Sequence, residues 1–379
     1  MDFSFTEEQQ LLRDSLARYI EREYTFEKRR AIQRSAEGYS HEVWSEFAEM
    51  GLLGITTPEE HGGYGGTTID TLVVMQALGA GLVVEPYLAS VVLGAGLIAR
   101  AGSAAQKESL LPAASRGELL LTLAHAEPDS RYELAAVATS ARRQGKDFVL
   151  RGHKAVVPWG AQADRLVVSA RTAGGPRDAH GISLFVVERG MTGVSTRDYR
   201  TIDGLHAAEL KLDGVQVSAD AALGPLDAAL PLLEAIADVG AAALCAEGVG
   251  VMETLNAQTL DYIKSRQQFG QPIGRFQALQ HRAVDMFIHL EQSKSMALLA
   301  AVRADSPDAA ERRRAVSAAK AHLGRSGRAL TQMAIQLHGG MGVTDELPAS
   351  HYAKRLTMID FHLGDADFHV DRLVADSRR

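Results

Sequence analysis

The chain has 379 residues, with 40 Lys+Arg against 47 Asp+Glu and a formal net charge of −7. Hydrophobic residues at 46% and charged residues at 23% are ordinary globular usage, which excludes a disordered or fibrous class and leaves length for two or three domains. An acidic balance without a basic block excludes nucleic acid as the expected partner, and the single cysteine, Cys245, excludes an internal disulfide framework and a cysteine-based zinc cage.

The chain starts MDFSFTEEQQ, acidic from Asp2, so no secretory leader is expected and the expected location is cytoplasmic. The uncharged stretches Thr71–Val84 and Pro86–Ala99 fall short of the roughly 18 residues a membrane span requires, and none is expected. Residues 1–118 read as an N-terminal α-helical domain. Thr6-Glu7-Glu8-Gln9 has the form of a capping box ahead of Leu12, Leu16 and Tyr19. Ser40 is placed to cap a helix with Val43, Phe47 and Met50 on one face and Gly51 at its end, and Ser103–Gln106 repeats the box ahead of Leu110 and Leu111.

Residues 119–222 change period. Leu119–Leu123, Ala135–Thr139, Phe148–Leu150, Leu166–Ser169 and Ile182–Val187 are short apolar runs, and Leu210, Leu212, Val215 and Val217 alternate. Short strands at that spacing predict a middle β domain, an antiparallel barrel or sandwich. Residues 223–379 return to helical period. Pro231–Ser265, Gln277–Ala304, Pro307–Leu337 and Pro348–Ser377 predict four long helices in a bundle. The expected class is α+β, mainly α, in the order helical domain, β domain, four-helix bundle.

Two glycine-containing segments carry the chemistry. Arg266-Gln-Gln-Phe-Gly-Gln-Pro-Ile-Gly-Arg-Phe-Gln277 reads either as a helix-to-helix turn or as a diphosphate receptor, a guanidinium beside backbone N–H groups at a helix start. Gln336-Leu-His-Gly-Gly-Met-Gly-Val-Thr344 reads as a glycine C-cap, or as backbone that a ligand approaches closely.

Together these segments, with Tyr262 and the loop Pro58-Glu-Glu-His-Gly-Gly-Tyr-Gly-Gly66, resemble the acyl-CoA dehydrogenase family across nearly the full chain. More narrowly, His125, Glu127, Ser130-Arg-Tyr132, Ala278-Leu-Gln-His281, Gly324-Arg-Ser-Gly327 and Tyr352-x-Lys354-Arg-Leu-Thr-Met358 are similar to its small-subunit branch, typified by pimeloyl-CoA dehydrogenase. The resemblance implies FAD as cofactor, α,β-dehydrogenation of an acyl-CoA thioester and an electron-transferring flavoprotein as acceptor. It also implies FAD sites shared across subunits, with Arg266, Gln268, Phe269, Gln277, Gln336, Gly339 and Gly340 facing the ADP half.

The flavin-head half departs from the family pattern. The family's Thr-Glu-Pro-Gly-x-Gly-Ser-Asp reads Ala126-Glu-Pro-Asp-Ser-Arg-Tyr132 here, and its Trp-x-Thr strand becomes Val156-Val157-Pro158, with Trp159 as the nearest replacement for the indole. The catalytic base departs too. Leu363 stands where a C-terminal Glu would, and Val239-Gly240 where the alternative base would start the long helix. Asp238 is the best surviving candidate, with Glu234 a turn away; Glu247 lies roughly 10 Å further along the helix. His362, Asp365 and Asp367 are weaker candidates. His125 and Arg131, with Ser130 and Tyr132, invite a role in holding the thioester or CoA phosphates. Arg325 and Arg328 read as solvated helix charges or as a diphosphate contact. The reading is one chain of a heteromeric enzyme beside a larger sister dehydrogenase subunit. Its alternatives are a self-sufficient homotetramer using Asp238, a flavin monooxygenase on the same fold, and a scaffold that binds no flavin.

Overall fold

The structure, a computed structural model, describes residues 5–377; Asp2 lies outside them. The chain folds as two compact units. The first takes the chain to Ile32, Thr68–Val84 and everything from Ala241 on; the second takes Gln33–Thr67 and Glu85–Gly240. The sequence region 1–118 therefore contributes to both.

In chain order, α1 (Glu7–Glu23) begins at the expected capping box, with Gln9 N donating to Thr6 Oγ1 at 3.2 Å and Thr6 N to Gln9 Oε1 at 3.1 Å. A short helix that the pattern did not separate, α2 (Phe26–Arg34), follows. Ser40 caps α3 (His41–Glu49), whose Val43 and Phe47 are buried. Met50 does not share that face: the helix stops at Glu49, Gly51 turns left-handed at φ 75°, and Met50 is 36% exposed. The glycine loop 58–66 folds on itself, since a Cβ on Gly63 would lie 2.1 Å from the Thr57 carbonyl oxygen. Then come α4 (Thr68–Ala80), a π-helical stretch Leu88–Ala95, α5 (Gly96–Ala101) and α6 (Ala104–Ser115), the last opened by the Ser103/Gln106 box with Leu110 and Leu111 buried.

The second unit is built around one eight-stranded sheet: β1 (Leu121–Ala124), β2 (Ser140–Gln144), β3 (Asp147–Pro158), β4 (Arg165–Arg171), β5 (Ile182–Glu188), β6 (Val194–Arg200), β7 (His206–Val217) and β8 (Ala222–Leu223). Its order is β6-β7-β3-β2-β4-β5-β8, with β1 beside β4. Phe148, Leu150, Leu166, Val168, Phe185, Leu210 and Val215 form its apolar interior. The sheet is mixed rather than wholly antiparallel: β1 runs parallel to β4, Leu121 opposite Arg165, and β2 meets β4 in parallel at Ser140–Arg171. No tight hairpin joins these pairs, so nothing imposes the antiparallel sense. Ala135–Thr139, expected as a strand, is loop, because its backbone groups serve side chains: Glu127 takes two of its N–H groups and Arg171 two of its carbonyls.

The remaining elements are α7 (Leu230–Ser265), a small hairpin of β9 (Gln267–Gln268) and β10 (Gln271–Pro272), α8 (Gln277–Ala304), α9 (Ala309–His338), α10 (Pro348–Phe361) and α11 (Ala366–Ser377). The expected fourth bundle helix is thus two helices, broken where Leu363 and Gly364 adopt φ 58° and 108°. The Gly324–Gly327 segment lies in the interior of α9. By length and composition α7 could cross a bilayer, yet 89% of its apolar window is buried within the chain, as in a core helix.

Within the first unit α7 packs through small residues. A Cβ on Gly250 would sit 1.9 Å from the Gln76 carbonyl oxygen of α4, and one on Gly79 of α4 would sit 2.1 Å from that of Glu247. Backbone on both sides cannot yield. Gly250→Ala is therefore expected to destabilise the protein by about 1–3 kcal/mol, the usual cost of overpacking. A urea midpoint equal to that of the parent chain would show that α4 and α7 do not make this backbone contact.

Candidate functional site

In the first unit α7 ends at Ser265 and the chain reverses through β9 and β10. Phe269 and Gly270 at the tip have φ 55° and 78°, so the reversal is a two-residue turn of the left-handed kind that fits strand twist. Arg266 uses its backbone locally: its N–H donates to the Tyr262 carbonyl at 2.8 Å and its carbonyl accepts from Ile273 N at 2.8 Å. Its side chain faces solvent, as do those of Gln268 and of Gln277, the first residue of α8. Phe269 is 89% exposed, its ring edge-on to Phe276 at 6.0 Å.

The second segment closes α9. Gly339 at φ 60° ends the helix and a 3-10 turn, Gly339–Val343, follows. The rings of Tyr262 and His338 stack at 4.5 Å and 29°, and the Tyr262 hydroxyl donates to the His338 carbonyl at 3.3 Å. His338 Nδ1 lies 2.9 Å from the Ala334 carbonyl. This stack is what brings the two segments together. The glycines then divide by cause. Gly342 packs, since a Cβ there would lie 2.7 Å from the Ile335 carbonyl oxygen. Gly270, Gly339 and Gly340 face open space, and Gly340 has no positive φ to explain it. Nothing in this chain demands a glycine at 340; a ligand lying against the backbone would. An exposed guanidinium, two exposed glutamines, an exposed aromatic and a bare glycine surface are a donor set that fits a dinucleotide's diphosphate and adenosine. Beside Gln336, a groove of about 480 Å³ continues along α8 and α9, lined by Arg282, Asp285, His289, Gln332 and Met333.

The segments expected to seat a flavin ring lie in the second unit. Glu127 turns inward there. Its carboxylate accepts Lys154 Nζ at 2.7 Å, Ala138 N at 2.8 Å and Thr139 N at 3.0 Å, and Lys154 Nζ also donates to Ser169 Oγ at 2.9 Å. Burial alone would raise the Glu127 pKa, but the Lys154 charge and the hydrogen bonds from Lys154 and Thr139 outweigh it and hold the carboxyl below its ordinary range. Burial, then the Lys154 charge, pushes the neighbouring His125 imidazole down to about 4, so it is neutral at physiological pH. Ser130 Oγ accepts from Glu127 N at 2.9 Å. Arg131 is exposed, with its guanidinium 5.7 Å from the Tyr132 ring centroid.

After Lys154 the register of β3 on β7 slips, leaving Val156 at φ 51° and 52% exposed. Trp159 does not take the expected place of an indole on a cofactor. At 4% exposure it stacks on His206 at 5.6 Å with Tyr39 edge-on at 5.9 Å, while His206 Nδ1 pairs with Asp198 Oδ2 at 2.7 Å. Pro158 has no N–H to offer. This half does not fit a flavin ring held by the family's indole and hydroxyl.

Left-handed backbone at residues with a side chain costs energy and gathers where function over-determines the chain. Among the described residues seven non-glycines have positive φ: Leu82, Arg131, Val156, Trp159, Asp227, Phe269 and Leu363. Arg131, Val156, Trp159, Phe269 and Leu363 all lie in segments that the sequence marked for cofactor or base.

The base positions are filled otherwise. Leu363 is half-buried. Asp238 is 1% exposed on α7, within the second unit, and Glu234 is half-buried. Glu247 is taken up by Arg355, whose Nη2 donates to Oε2 at 2.7 Å. Asp365 caps α11 through Phe368 N at 2.9 Å, and Asp367 is exposed, 3.9 Å from Arg325. Arg328 pairs with Asp360 at 3.3 Å. His362 N–H donates to the Met358 carbonyl at 2.9 Å. The sequence reading missed Lys320, fully buried on α9, because a lysine among alanines reads as a solvated helix position.

Residues 6–118 match the family described as acyl-CoA dehydrogenase, N-terminal domain, residues 122–215 its middle domain and residues 232–376 its C-terminal domain. Mitochondrial isovaleryl-CoA dehydrogenase of Pongo abelii is 30% identical over 97% of this chain and 88% of its own. Acyl-CoA dehydrogenase FadE12 of Mycobacterium tuberculosis is 30% identical over 91% and 90%. Two similar solved structures carry double names. A variant of the Tcur3481–Tcur3483 steroid ACAD has 31% identity and a TM-score of 0.88, with 98% of each chain covered. The ChsE4–ChsE5 complex from Mycobacterium tuberculosis has 28% identity and a TM-score of 0.90, with 100% of this chain and 99% of that one covered.

Removing one partner of the buried Glu127–Lys154 pair leaves an uncompensated charge, so Glu127→Gln is expected to cost about 3–5 kcal/mol in urea unfolding. The double variant Glu127→Gln, Lys154→Met should be less damaging than Glu127→Gln alone. Equal losses would mean that the charge on Lys154 is not what the carboxylate answers.

Proposed function

The chain belongs to the acyl-CoA dehydrogenase family, and from that premise we propose that it works with FAD on an acyl-CoA thioester as one chain of a heteromeric dehydrogenase. Members of this family are oxidoreductases acting on CH–CH donors. In this reading the chain completes the ADP half of FAD sites whose flavin-head contacts and base come from a larger sister subunit, and an electron-transferring flavoprotein takes the electrons onward. One observation supports it: the two glycine segments are turned outward, with Phe269 89% exposed and Gly340 bare, while position 363 is a leucine. The double names of two structural neighbours support a two-chain assembly. So does an apolar stripe left open on α8, where Val284, Phe287 and Ile288 are 54%, 53% and 46% exposed.

FAD supplies the acceptor for the hydride that leaves the β carbon. This chain's residues bind and orient. Arg266 answers diphosphate charge, Gly339 and Gly340 let backbone N–H groups come close, Gln268, Gln277 and Gln336 offer amide hydrogen bonds, and Phe269 offers a ring face. In this reading the α proton would go to a carboxylate of the sister subunit; in this chain Arg355 holds Glu247, Asp365 caps α11 and Asp367 is solvated.

A second reading, a self-sufficient homotetramer, has its own observation: Asp238 is a buried carboxylate near the start of α7, and a desolvated base is what α-proton abstraction needs.

The chain purified alone should lack flavin absorbance and acyl-CoA-driven dye reduction, and co-expression with a larger dehydrogenase subunit should restore both. Arg266→Ala in this chain should weaken FAD binding by the pair about 10- to 100-fold, the weight of a hydrogen bond to a charged group. A yellow single chain that turns over acyl-CoA would overturn the heteromeric reading. Asp238→Asn would then decide whether that residue is the base, unchanged turnover removing it.

A further inference from the structure

The break between α10 and α11 holds an arrangement that neither the fold nor the reading above uses. Lys320, at the centre of α9, is fully buried, and its Nζ donates to three backbone carbonyls: Ile359 at 2.7 Å, Asp360 at 2.9 Å and Gly364 at 2.8 Å. Two are the last carbonyls of α10, the negative end of its dipole, and the third lies beyond the break. Between them sits Leu363 at φ 58°, a strained conformation for a branched side chain. Its own carbonyl lies 3.1 Å from His369 Nε2, and His369 Nδ1 lies 3.2 Å from Ser317 Oγ. Asp360 Oδ1 accepts Ala366 N at 3.1 Å and opens α11. A Cβ on Gly324, one turn along α9 from Lys320, would lie 2.1 Å from that same Asp360 oxygen.

An ordinary helix end needs less than this. A left-handed residue at the first position past the cap lets the next N–H groups reach back to the last carbonyls, and Leu363 already takes that conformation after the cap His362. A buried ammonium is expensive unless every N–H is used, and here three acceptors meet three donors. A neutral amine keeps only two N–H groups, so the arrangement counts protons.

We infer that Lys320 is the positioning residue of the α10–α11 turn, a clasp that ties the carbonyls on either side of Leu363 to α9 through three hydrogen bonds and loses one when the ammonium gives its proton to solvent. The inference is independent of the proposed function, since the turn keeps its clasp whether or not a base stands at position 363. The charged and titratable groups facing the ammonium are Cys245 on α7, Asp360 on α10 with Arg328 behind it, Asp365 in the turn, and His369 with Arg372 on α11. Burial pushes Lys320 down to about 8, while Cys245, Asp360 and Asp365 pull the other way. Burial, then the charges of Lys320 and Arg372, pushes His369 down to about 3, so it stays neutral throughout the alkaline window.

The sign of linkage separates this clasp from plain structural support. A folded-state pKa below the unfolded value of 10.5 means that the folded chain sheds this proton first. Between about 8 and 10.5 the unfolded state binds more protons, so this group's contribution to global stability rises with pH; an opening of the turn that leaves Lys320 buried on α9 carries no such linkage and reads the hydrogen bond lost.

The test is amide hydrogen exchange of the full chain from pH 7 to 9.5, corrected for base-catalysed exchange. Protection of the His362 and Ala366 amides should fall about 5-fold through the Lys320 titration, the equilibrium weight of one net hydrogen bond, without a matching fall in the global unfolding midpoint. Lys320→Met should show low protection at every pH and no step. Protection that stays flat in the wild-type chain, or an unchanged step in Lys320→Met, overturns the inference. Should Lys320→Met not fold, the wild-type step decides, together with a titration of the lysine Nζ resonance; a midpoint above pH 10 overturns it.

Discussion

Helix α7 comes close to its neighbours through alanines and glycines on its contact face. Ala241, Ala242, Ala243 and Ala246 are buried, Gly250 sets backbone against α4, and a Cβ on Gly248 would lie 2.7 Å from Leu323 Cδ2 of α9. That approach fixes where α7 ends, and its end is the Arg266 turn. Tyr262, one turn before it, then meets His338 at the end of α9, so the stack joining the two glycine segments is a consequence of helix packing. The surface formed by the two glycine segments takes its geometry from the packing of α7 on α4 and α9.

Two buried ammonium groups do comparable local work by different means. Lys154 is answered by a carboxylate, and the pair anchors the loop that runs from Glu127 to Thr139. Lys320 is answered by backbone carbonyls, which ties a helix end and a strained turn to α9. The second keeps the turn in shape although its central residue is Leu363.

Much of the fold was legible because its signals are local. Thr6 with Gln9 and Ser103 with Gln106 are complete capping boxes within four residues, and α8 runs over the residues that its period and the preceding Pro-Ile-Gly-Arg-Phe segment imply. The failures were non-local. Ala135–Thr139 has strand composition, but Glu127 and Arg171 capture its backbone. The sense of β1 depends on β4, some forty residues on. The break at Leu363 is met by a lysine on another helix, which periodicity along 348–377 does not contain.

The sequence by itself determined the family, the ordering of helices and strands, the two glycine segments and the leucine at position 363, because each is a matter of residue identity at fixed spacing. Only the tertiary structure decided which of those residues face outward. It turned Phe269 and Gly340 toward open space, spent Trp159 on His206 and Glu247 on Arg355, and buried Asp238 and Lys320. Exposure and pairing depend on which elements come to lie against one another, and that is settled by backbone approach and buried charge rather than by any window of sequence.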